Sequence, residues 1–175
     1  MLAYVLVVLA FAVRFTPHPW HFTPVAASLL FFGAYGSRRQ LWFPVVLFAA
    51  SDVFLNKFIY HYPLSWDLLV TWFWYAAMVV LGGGLRRHLK PQWIMASALA
   101  GSVSFYLLSN FAVWAAYDMY PKTFSGLVTC YAMAVPFFRG TLAGDLLFTA
   151  ILFAVPAVVE QFSGRASHAH GAAAA

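Results

Sequence analysis

The sequence predicts an all-α fold of about six short transmembrane helices packed as one polytopic bundle. Three observations lead to that expectation. Of the 175 residues, 63% are hydrophobic and only 9% are charged, against about 25% charged in soluble domains. The apolar residues gather in separate runs, and the ten Lys and Arg lie mostly at the ends of those runs. A soluble core has no room for this much apolar surface, so the solvent is expected to be lipid, and one membrane domain is the natural count at this length.

The elements follow in order. A spanning helix needs roughly 20 apolar residues, and four runs come close: 41–58, 66–85, 93–117 and 141–159. Two others, 2–15 and 24–36, are shorter. At 1.5 Å per residue they reach about 20 Å, less than the roughly 30 Å hydrocarbon core. They read either as short, deep-set helices of a six-helix bundle or as two arms of a re-entrant hairpin. A seventh piece, 124–138, is too short and too interrupted to span, and reads as a surface or re-entrant segment before the last helix. The membrane domain is expected over 1–162 and a disordered polar, Ala-rich tail over 163–175. No basic region precedes Leu2, and Arg14-Phe15-Thr16-Pro17 follows the first run where a signal peptide has a small-residue cleavage site. That run is expected to be retained.

Charge sets the expected orientation. The net charge of +5 is scattered, which favours topology signals over a nucleic-acid surface. With the N-terminus inside, Arg38, Arg39, Arg86, Arg87, Lys90 and Arg165 fall on the inner side, and Arg14, Lys57, Lys122 and Arg139 on the outer. The expectation is an inner-membrane protein with both termini cytoplasmic. The single cysteine, Cys130, cannot form an internal disulfide. The "LGGGL" at 81–85 lacks the GK[ST] ending of a phosphate loop, and H-E-x-x-H, paired-Cys and G-x-S-x-G patterns are missing. No enzyme activity, cofactor, metal or nucleic-acid partner is expected.

The intramembrane polar residues collect on one side of this topology. Asp52 and Asn56 are four apart, share a helix face and lie in the outer half of the third helix. Asn110 and Trp114, again four apart, lie in the outer third of the fifth. Asp145 sits near the outer end of the sixth, with Arg139 just before it as a candidate partner for either carboxylate. Tyr131 and Cys130 belong to the same layer, as does the loop with Trp20 and His21. A carboxylate in lipid costs a few kcal/mol and should face the bundle interior and find a partner. One outer cavity lined by Asp52, Asn56, Asn110, Trp114, Tyr131, Arg139 and Asp145 is the simplest common explanation. Each residue also has a structural alternative. The Asp residues can bond loop amides, Asn110 can bridge helices, and Trp114 can belong to an interface belt. Cys130 reads as a small buried hydrophobe or as a metal ligand. His18 and His21 are three apart, but Pro19 between them argues against a shared metal face. Small residues on the fifth helix (Ala96, Ala100 and Ser104, beside Ser97 and Gly101) permit close helix approach.

Two resemblances rest on particular stretches. "FTPVAASLLFFGAYGSRR", "FPVVLFAASDVFLN" and "SNFAVWAAYDMYPKTFSGLVTCYAMAVPFFRGTLAGDLLF" together resemble an uncharacterised family of small bacterial integral membrane proteins, over about residues 14 to 155. More loosely, the Pro-aliphatic opening before Phe32-Gly33, the Asp on the third helix and "GDLLF" on the last are similar to S components of energy-coupling-factor transporters. That resemblance implies a six-helix protein that binds a micronutrient near the outer surface and relies on a separate ATPase module. Many S components carry Ala-x-x-x-Ala on helix one, a spacing that Ala3, Ala10 and Ala12 do not give.

The functional expectation is therefore a membrane-bound binding and uptake component for a small, ring-containing solute. The partners are the lipid bilayer, the solute and a separate ATPase or other energising module. The alternative is a structural or assembly subunit of a membrane complex, in which the polar layer is internal packing. A membrane enzyme would need a nucleophile with a base in reach, and only Cys130 with His18, His21 or His61 offers one.

Overall fold

The computed structural model describes residues 1–16 and 22–173. Among the described residues there are six α-helices: α1 (Leu2–Val13), α2 (Val25–Tyr35), α3 (Trp42–Phe54), α4 (Asp67–Leu85), α5 (Pro91–Ala116) and α6 (Phe124–Ala173). No strand occurs among the described residues. A 3₁₀ turn, Arg38–Gln40, leads into α3, and a π-helical turn, Leu55–Tyr60, continues it. Among the described residues, four segments are long and apolar enough to cross a membrane: Arg38–Tyr60, Asp67–Leu85, Pro91–Ala116 and Phe124–Pro156. Helices α1 and α2 are apolar but shorter.

Local chemistry explains several boundaries. Pro91 opens α5, where its missing N–H costs nothing, and Lys90 before it is extended. Thr123 caps α6, its Oγ1 accepting from the Gly126 amide at 3.2 Å. Lys122 closes the other side of the same turn by donating to the carbonyls of Trp114, Ala115 and Tyr117 at the end of α5, where a cation suits the helix dipole. The π turn ends at His61, whose φ of 56° is left-handed.

The last helix differs from the sequence expectation. The segment 124–138 is not a separate surface or re-entrant piece; α6 runs unbroken through it. Pro136 and Pro156 lie inside α6. Proline removes a single backbone donor, and the antiparallel α5 supports this stretch along its length. The Tyr106 hydroxyl donates to Tyr131 O at 2.7 Å, and the Tyr131 hydroxyl donates to Leu107 O at 2.8 Å. Helix α6 is described as far as Ala173.

The core is organised around α2. Every residue from Val25 to Ala34 is buried, as expected of a helix that is apolar on all sides. It touches all five other helices. Its closest approach is to α4: a methyl group built on Gly33 would lie 2.1 Å from Val79 O and 2.8 Å from the Gly82 Cα. The "LGGGL" stretch is thus part of a helix–helix contact. Arg86 completes the junction, donating through Nε to Gly33 O at 2.8 Å and through Nη2 to Gly36 O at 2.6 Å. It satisfies carbonyls at the C-terminal end of α2 that the helix leaves open.

Helix direction alternates, which gives the bundle two distinct ends. At one end, Tyr4 bonds to Gln40 and meets Phe32 edge-on at 5.0 Å, and the Arg38–Arg39 and Arg86–Arg87 pairs lie nearby. At the other end, Arg14 reaches Asp52, and the Tyr117 hydroxyl donates to Asp67 Oδ1 at 3.1 Å. Burial, with the neighbouring carboxylate, raises the Tyr117 hydroxyl above its ordinary pKa. The small residues of α5 serve packing: Gly101 faces Met78 of α4, and Ser104 Oγ accepts from Trp74 Nε1 at 3.0 Å.

Candidate functional site

A cavity of about 460 Å³ opens at the Arg14 end of the bundle. Its walls come from every helix or from the segment beside it. Arg14 follows α1, and Val25 and Ala26 begin α2. Asp52, Asn56 and Tyr60 come from α3 and its π turn, Trp74 and Tyr75 from α4, Phe105 from α5, and Thr141 and Asp145 from α6. A π turn widens the helix locally and is frequent at functional sites. Here it carries Leu55, Asn56 and Tyr60 to the cavity that Asp52 already faces.

One wall is a closed charge cluster. Asp52 is 5% exposed. Its Oδ1 accepts from Arg14 Nη2 at 2.5 Å and from the Tyr75 hydroxyl at 3.3 Å, and its Oδ2 accepts from Trp72 Nε1 at 3.1 Å. Arg14 Nη1 donates to Ser51 Oγ at 2.6 Å and to Phe48 O at 3.4 Å. Donors and acceptors are matched, which is the condition for burying such a pair. Asn56 adds no charge; its Nδ2 donates to Asp52 O at 2.9 Å.

The opposite wall is different. Asp145 is 3% exposed, and Ser102 Oγ approaches its Oδ2 at 2.6 Å. Ser102 also lies 3.1 Å from Ala98 O. A hydroxyl has one proton, and the shorter, charge-assisted contact is the stronger. No cation bonds Asp145 among the described residues. One turn along α6, Thr149 is fully buried, and its Oγ1 has no hydrogen-bond partner among the described residues.

Of the residues expected from sequence, Asp52, Asn56 and Asp145 share this cavity. Asn110 lines a smaller neighbouring space of about 210 Å³, which shares Phe105 and Thr141 with the first. Its Nδ2 bonds back to Tyr106 O at 2.8 Å. Trp114 does not line the main cavity. Its Nε1 donates to Pro121 O at 2.9 Å, and its ring lies 5.6 Å from Lys122 Nζ. Tyr131 is engaged with α5. Arg139 is exposed and bonds neither Asp52 nor Asp145; those carboxylates take Arg14 and Ser102 as partners. Cys130 is buried, its Sγ 3.5 Å from Asn110 O, and no metal-binding group of three His, Cys, Asp or Glu occurs among the described residues. His18, Trp20 and His21 lie outside the described residues.

Sequence reasoning missed Arg14, Trp72, Trp74, Tyr75 and Ser102. One signal pointed to Arg14: it is a single basic residue at the end of a twelve-residue apolar helix, whereas Arg38–Arg39 and Arg86–Arg87 come in pairs.

A family described as of unknown function, DUF6580, matches residues 1–167. The chain belongs to this family. No curated protein and no solved structure matches the chain. The DUF6580 match takes in all six helices up to residue 167 and every residue that lines the cavity.

Proposed function

We propose that this DUF6580 protein is an integral membrane protein that binds a small solute in the cavity between Asp52 and Asp145 and serves its uptake. The supporting observation is the cavity itself. About 460 Å³ lies within the roughly 300–1,000 Å³ of small-molecule sites, and its walls combine aromatic rings with a few buried polar groups. In this reading the cavity end faces outward, and both termini lie on the cytoplasmic side of the inner membrane. The tight Arg38–Arg39 and Arg86–Arg87 pairs then obey the positive-inside rule. Uptake would draw on a separate energising module of the kind the S-component resemblance implies.

Native mass spectrometry of the full chain, released from detergent, tests the reading. The expected result is a co-purified small molecule that is lost when Asp145→Asn is purified in the same way. A wild-type protein that carries no solute and takes none up in membrane vesicles would favour the alternative of an assembly subunit.

A further inference from the structure

The described walls of the cavity carry two carboxyl groups, Asp52 and Asp145, and one guanidinium, Arg14. Arg14 and Asp52 neutralise each other, and both Arg14 Nη atoms are engaged, Nη2 by Asp52 and Nη1 by Ser51 and the Phe48 carbonyl. Asp145 has the Ser102 hydroxyl and no counter-charge. The other Lys and Arg side chains described at this end or on α6 are placed elsewhere. Lys122 is held by the carbonyls at the end of α5. Lys57 lies 5.6 Å from the Phe58 ring and does not line the cavity. Arg139 precedes Asp145 by six residues on α6, about 120° around the helix and about 9 Å along it.

An ionised carboxylate in an apolar bundle needs a partner charge. The rest of the wall favours the same kind of guest. Tyr60, Tyr62, Trp74, Tyr75 and Phe105 all line the cavity, and aromatic faces attract cations held within about 6 Å. We propose that the solute is a small organic cation, an amine or quaternary ammonium compound, with its charged head against Asp145 and its body among the aromatic rings. An anion would meet the Asp145 carboxylate and find Arg14 already taken by Asp52, Ser51 and the Phe48 carbonyl. This inference rests on the solute-binding reading above and narrows it to one charge class.

Three probes of similar size test it on the full chain in detergent or nanodiscs. They are benzyltrimethylammonium, the uncharged near-isostere 2-methyl-1-phenyl-2-propanol, and the anion phenylacetate. Benzyltrimethylammonium is expected to bind saturably, at least tenfold tighter than the alcohol, with phenylacetate weakest. Asp145→Asn should abolish the tenfold preference and Asp145→Glu should restore part of it. The wild-type comparison stands even where a variant fails to fold. Equal binding of the alcohol, or tighter binding of phenylacetate, overturns the charge assignment and leaves solute binding intact. Absence of saturable binding by all three also overturns it, and if native mass spectrometry finds no co-purified solute the binding reading falls as well.

Discussion

Arg14 and Asp52 form a 2.5 Å ion pair inside the bundle, with side chains only 16% and 7% exposed. Thirty-eight residues separate them in sequence, so the pair ties the end of α1 to α3. Removing one partner leaves the other charge buried and alone, a loss of about 3 kcal/mol or more. Arg14→Met and Asp52→Leu should each lower the melting temperature in detergent sharply. The double variant should melt above at least one of them, because no stranded charge remains. Strictly additive losses across the four proteins would show that the two groups do not act as a pair.

The contact between α2 and α4 allows a sharper test. A methyl group at Gly82 would sit 2.1 Å from Leu30 O, whereas one at Gly84 meets nothing within 4 Å. Gly82→Ala must push two backbones apart, and overpacking of this kind costs about 1–3 kcal/mol or more. Gly84→Ala should be neutral or gain up to about 1 kcal/mol from helix propensity. The two melting curves, measured side by side, should move in opposite directions or differ by several degrees; equal shifts would contradict the close approach.

Asp145 and Asn110 should separate functionally. Asp145 lines the main cavity, while Asn110 bonds its own helix and lines the smaller space. Asp145→Asn is expected to weaken solute retention at least tenfold, about 1.4 kcal/mol. Asn110→Ala should change retention less than threefold. Binding and melting measured on the same preparations distinguish this from a purely structural role, in which both variants lose stability first and retention only tracks folded protein.

Orientation is open to direct measurement. On a Cys130→Ala background, cysteines at Arg38 and His88 should be shielded from impermeant thiol reagents in intact cells, and cysteines at Tyr62 and Lys122 should react. Labelling of the first pair alone would turn the cavity inward. Cys130→Ala itself should cost about 1 kcal/mol or less, since the thiol is a small group and its hydrogen bond to Asn110 O, at 3.5 Å, is a weak one.

The helical character of the chain and the two carboxyl groups of the cavity were legible in the sequence. Run length left the two short segments open between separate helices and a re-entrant hairpin, and both are helices; four-residue spacing put Asp52 and Asn56 on one face, where the cavity finds them. Spacing within a helix says nothing about which helix lies opposite. Asn110 and Trp114 share a face by the same rule, yet Trp114 serves the turn before α6. Arg14 and Arg86 looked like loop charges that set topology. Arg14 is the counter-charge of Asp52, and Arg86 closes the end of α2. Both roles depend on contacts across many residues, which periodicity does not record. The continuity of α6 was hidden by Pro136, since a proline reads locally as a break.

The encirclement of α2 bears on how the chain is made. In the membrane reading proposed above, eleven residues are too few to hold a bilayer position alone, and α2 emerges from the ribosome before most of the helices that enclose it. Part of its wall comes from α6, the last helix synthesised. Until α6 arrives, Phe31 lacks the Phe153 ring that meets it edge-on at 5.2 Å. A chain halted before residue 124 should expose this helix to protease even though its own residues are unchanged.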